Sequence, residues 1–82
     1  MKVVKTIKYK DITIVDTIIT IPEYIQFIAI DKEGLINGFV NRPVALEDKG
    51  FWDDPDACEF IELGLVILGD TDWKTTLIKL SV

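Results

Sequence analysis

The sequence predicts a mainly β domain, α+β only in a minor sense: an antiparallel meander of four to six strands with one short C-terminal helix or helical turn. Three observations predict it. Thirteen isoleucines occur in 82 residues, and β-branched side chains lose χ1 freedom in helices but pack well on a pleated sheet. The apolar runs follow one another through short connections, with no long helical stretch between them, which argues against a parallel βαβ sheet. Proline and glycine punctuate the chain between those runs.

Residues 2–9 (KVVKTIKY) and 11–21 (DITIVDTIITI) read as strands. In the second, Ile12, Ile14 and Ile18 share a face by period two, with Thr13 and Asp16 breaking the pattern. Pro22 ends the run, because it cannot donate to a ladder.

Residues 25–31 (IQFIAID) and 35–41 (LINGFVN) flank Lys32, Glu33 and Gly34. A polar connection ending in glycine predicts a hairpin whose last loop residue takes positive φ as a G1 bulge. Asp31 is placed to close the turn through its side chain. Gly38 inside the second strand signals a bulge or the close approach of another backbone.

From Arg42 to Asp56 the apolar periodicity fails, and Pro43, Gly50 and Pro55 mark a surface excursion with one short strand near Val44 to Leu46. Phe51 and Trp52 sit amid Glu47, Asp48, Asp53, Asp54 and Asp56. Such a pair of aromatics either folds back as a lid on the core or stands exposed as an anchor for a partner.

Residues 58–68 (CEFIELGLVIL) are the last strong strand, and the unbroken apolar run from Leu65 to Leu68 predicts burial on both faces or an interface. Gly69 ends it. Asp70, Thr71 and Asp72 then form an acidic helix start. Trp73, Leu77 and Leu80 recur at one face of a short helix; the alternative is a single helical turn followed by a closing strand through Leu77 to Leu80.

The length fits a single domain over residues 1–82. A core this small is marginal unless it is dense or the chain assembles. With 49% hydrophobic residues, the apolar excess points toward a subunit interface. The net charge of −5 is divided unevenly. Lys2, Lys5, Lys8 and Lys10 carry the first ten residues without an acid, leaving an acidic body that repels phosphate backbones and disfavours direct nucleic-acid binding. The simpler role for those lysines is to keep an edge strand soluble. No secretory segment or membrane-spanning run is present, so a cytoplasmic chain with no membrane contact is expected.

The residues do not assemble a conventional catalytic site. Histidine is absent and Cys58 is the only cysteine, so the usual base for a nucleophile is missing and no intrachain disulfide forms. Asp56 and Glu59 beside Cys58 disfavour a thiolate, and Cys58 reads as a small core residue. Asp53, Asp54, Asp56 and Glu59 lack the spacing of a calcium loop, and one cysteine without histidine makes no closed zinc site. Gly64 and Gly69 are not followed by a phosphate-binding Lys-Ser or Lys-Thr. A non-enzymatic chain without cofactor or metal is the expectation.

One ordered series carries a resemblance. Ile21-Pro22, Ile28-Ala29-Ile30-Asp31 with Gly34, Phe39, Pro43, Trp52, Phe60 through Leu63-Gly64, and Asp72-Trp73 with Thr76-Leu77 span residues 20 to 80. The series resembles small uncharacterised accessory proteins encoded in bacteriophage genomes, with their proline-led strand, Asp-to-Gly hairpin, mid-chain tryptophan and Asp-Trp-x-x-Ser/Thr-Leu ending. The basic N-terminal segment departs from that pattern. The resemblance implies an anti-defence setting, of which anti-CRISPR proteins are one kind, in the host cytoplasm, and brings no site residues of its own. From the residues, the expected partner-binding set is Glu47, Asp48, Phe51, Trp52, Asp53, Asp54 and Asp56, acting as an acidic surface that inhibits a host defence protein. Two other readings stand beside it. One is a homo-oligomeric binder of a small molecule or nucleotide signal, using Arg42 with Lys2, Lys5 and Lys8. The other is a structural subunit.

Overall fold

A computed structural model describes residues 1–56 and 60–80. The expected core role of Cys58 and the start of the 58–68 run fall outside the described residues. Among those residues eight strands form three antiparallel sheets: β1 (Tyr9–Ile14) with β2 (Thr17–Pro22); a central sheet in the order β7 (Phe60–Leu65), β4 (Leu35–Phe39), β3 (Phe27–Ile30), β8 (Ile78–Lys79); and β5 (Val44–Leu46) with β6 (Phe51–Asp53). The mainly β, antiparallel class is as the sequence predicts. The strand count is higher because short hairpins divide two stretches that read as a single run and as a loop.

The first is 11–21. It folds at Val15 and Asp16, so that Ile14 faces Thr17 and Ile12 faces Ile19. A two-residue loop switches the parity of the following strand. Ile19 and Ile21 therefore join Ile12 and Ile14 on the inner face, while Ile18, expected among them, points to solvent. Neither Gly nor Asn announces this turn, and Val15 itself takes φ 60°. The expected strand over residues 2–9 is also corrected. Pairing begins only at Tyr9, and the residues before it are exposed.

The central hairpin forms as predicted. Gly34 has φ 89°, and its N–H donates to the Asp31 carbonyl at 2.9 Å. Asp31 Oδ1 accepts from the N–H groups of Glu33 at 2.9 Å and Leu35 at 3.1 Å. A Cβ at Gly34 would strike the Val66 carbonyl. Gly38 admits a side chain rather than a backbone: a Cβ there would lie 2.9 Å from Ile25 Cγ2. The β-bulge sits beside it, where the β4–β7 register skips Leu63 between the pairs Asn37–Glu62 and Ile36–Gly64.

Both faces of the central sheet are covered, which is why β3 and β4 read as nearly continuous apolar runs. On one face Ile28, Ile30 and Ile36 meet Ile14 and Ile21 of the first hairpin, together with Ile25. On the other, Ala29 and Phe39 meet Trp52 of the β5–β6 hairpin and Trp73. The C-terminus takes the alternative form: one 3-10 turn over Trp73–Thr75, capped by Asp72 Oδ1 accepting from Lys74 N–H at 3.0 Å, and then β8 against β3. The 65–68 run is not buried on both faces. Val66 and Leu68 pack on the core, while Leu65 and Ile67 are exposed.

Candidate functional site

The acidic excursion is held to the sheet at its start and at its hairpin tip. Pro43 is fully buried at its start. The loop between β5 and β6 closes when the N–H groups of Lys49 and Gly50 donate to the Leu46 carbonyl at 3.0 and 2.8 Å. Lys32 N–H then donates to the Gly50 carbonyl at 2.9 Å, tying the hairpin tip to the β3–β4 turn.

Strand alternation sorts the predicted site residues into two sets. Trp52 and Asp54 point inward. The Trp52 indole Nε1 donates to the Ile30 carbonyl at 2.9 Å, and its ring stands edge-on to Trp73 with centroids 5.9 Å apart at 89°. Asp54 is buried; its Oδ1 accepts from Asp56 N–H at 2.9 Å, and its Oδ2 has no hydrogen-bond partner among the described residues. The lid and the anchor proposed for the two aromatics are thus divided between them: Trp52 is the lid, and Phe51 remains 41% exposed. Trp52 and Asp54 are not available to a partner with the hairpin in place.

Glu47, Asp48, Phe51, Asp53 and Asp56 are exposed. Their field is not uniformly negative, since Lys74 Nζ lies 3.8 Å from Glu47 Oε1 and 3.9 Å from Asp72 Oδ2. Exposed pairs of this kind contribute little to stability. Their effect is to set one cation between the hairpin and the cap of the 3-10 turn, where the acidic strip is partly neutralised. Among the described residues no three acidic or thiol side chains are grouped to hold a metal ion.

The basic segment forms a separate feature. Lys5, Lys8 and Lys10 line an open groove of about 820 Å³ with Ile7, Tyr24, Gln26 and one carboxylate, Glu23. Arg42, grouped with these lysines on sequence, stands instead over the Phe27 ring at 6.0 Å from its centroid. Tyr24 escaped the sequence reading because it lies in no motif; the β1–β2 pairing of Tyr9 with Pro22 and Lys10 with Ile21, extended by the 2.7 Å bond from Glu23 N–H to the Lys8 carbonyl, brings it beside the lysines. Among the described residues no helix is long and apolar enough to cross a membrane.

Comparison with protein-family models, curated proteins and solved structures finds no match.

Proposed function

We propose that this chain acts by binding rather than by chemistry, laying the outer face of the β5–β6 hairpin on a basic surface of a partner protein and blocking it. The observation that carries this reading is the alternation within β6. Trp52 fastens the hairpin to the sheet and Asp54 is buried on the same side, so Phe51 and Asp53 are presented outward on a fixed backbone beside Glu47 and Asp48. A half-exposed aromatic amid carboxylates suits a groove that otherwise takes stacked bases and phosphates. The resemblance to bacteriophage accessory proteins supports a bacterial defence protein that handles nucleic acid as the target class. The test is charge reversal at exposed positions only, Asp48→Lys with Asp53→Lys. Binding and inhibition should fall while the fold, read by thermal unfolding, is retained.

The groove at Lys5, Lys8 and Lys10 favours a second reading, sequestration of a small anionic ligand such as a signalling nucleotide, with Tyr24 as a stacking face. A thermal-shift series with signalling nucleotides tests it. Stabilisation that grows with ligand concentration supports the reading, and a flat response removes it.

A further inference from the structure

Residues 2–8 are strand-forming by composition, yet among the described residues none of them pairs in a sheet. Lys8 accepts one bond from Glu23, and among the described residues no backbone–backbone hydrogen bond holds the chain before it. The accessible surface is 6049 Å², against roughly 5000 Å² for a compact monomer of this mass. Later in the chain, β7 is an edge strand of the central sheet, paired on one side only among the described residues. An unpaired strand former and an unpaired edge in one chain are a matched vacancy for β-strand addition.

The side chains match as well. Through the register Phe39–Phe60, Asn37–Glu62 and Leu35–Leu65, the bulge at Leu63 brings Phe60, Glu62 and Leu65 to one face as apolar, acidic, apolar. Period two brings Val3, Lys5 and Ile7 to one face as apolar, basic, apolar. Val3, Ile7, Phe60 and Leu65 are all more than half exposed. Six residues of arm span β7 (six residues) end to end, with Lys5 opposite Glu62 whichever way the arm runs. Charge favours this pairing over arm against arm, which sets lysines together, and over β7 against β7, which sets Glu62 near its own copy.

We infer that the occupant of the β7 edge is the N-terminal arm of a second copy of this chain, added as a fifth strand with Val3, Lys5 and Ile7 beside Leu65, Glu62 and Phe60. Reciprocal exchange closes a dimer, and one-way exchange builds a ring or a chain. The inference is independent of the acidic-hairpin reading, since no residue is shared.

Light scattering over a wide range of protein concentration tests it. The expected mass is a multiple of 9.3 kDa. Lys5→Glu should weaken association about tenfold, the loss of one opposed charge pair for a repelling one, and Lys5→Glu with Glu62→Lys should restore it. Thermal unfolding at low concentration, with the chain dissociated, should be unchanged by Lys5→Glu because the arm is exposed. In a Cys58→Ala background, Lys5→Cys on one tagged chain should form a disulfide with Glu62→Cys on another. A 9.3 kDa mass at every concentration, or an oligomer indifferent to Lys5→Glu, would overturn the inference.

Discussion

Trp52 Nε1 hydrogen-bonds the carbonyl of Ile30 at 2.9 Å, and this contact fixes the acidic hairpin to the central sheet. It combines burial of a large ring with satisfaction of a strand-edge carbonyl. Trp52→Ala should therefore destabilise the fold by about 3–5 kcal/mol, which for a domain this small is most of its stability. Trp52→Phe keeps one aromatic ring but loses the donor and part of the buried surface, at about 1–3 kcal/mol. Denaturant unfolding of the two variants separates the terms; a loss in Trp52→Phe equal to that in Trp52→Ala would show that the donor, and not the packing, holds the hairpin.

Thr76 replaces a neighbouring strand at the next position along β3. Its Oγ1 accepts from Ile30 N–H at 2.9 Å and lies 3.0 Å from the Ile30 carbonyl and 2.7 Å from that of Trp73. One hydroxyl proton serves one of those two carbonyls. Thr76→Val keeps the shape and strands the Ile30 amide, at a cost of about 1–3 kcal/mol. Thr76→Ser should cost less than half as much in the same unfolding experiment.

Val15 sits in a backbone conformation that L side chains rarely adopt. It is β-branched, exposed, and held at φ 60°. Val15→Gly or Val15→Asn should raise stability by about 1 kcal/mol, the ordinary cost of that conformation for an L side chain. An unchanged or lowered midpoint of thermal unfolding would mean that the loop relaxes away from the left-handed region.

The contrast between Gly34 and Val15 explains what could be read in advance. The Asp31–Gly34 turn was legible because its chemistry is spelled in the residues that need it: an aspartate to accept and a glycine for positive φ. The Val15–Asp16 turn was not, because the β1–β2 pairing and the Ile14 and Ile21 contacts impose a backbone that the local residues do not favour. Ile18 was consequently assigned to the wrong face. The strand at Phe51–Asp53 was hidden for another reason. Three residues are too few to show a period, and the inward side chain at Asp54 is acidic. For the site, the residue types were legible but their directions were not, since the direction of Trp52 depends on a carbonyl 22 residues earlier.

The central claim is that the outward face of the β5–β6 hairpin binds a basic partner surface. Its most direct measurement is quantitative capture from a bacterial lysate, comparing the wild-type chain with the folded Asp48→Lys, Asp53→Lys variant across a salt series. The account predicts one stoichiometric protein on the wild type, released as salt rises, and absent from the variant. Equal capture by both, or release that ignores salt, would contradict it.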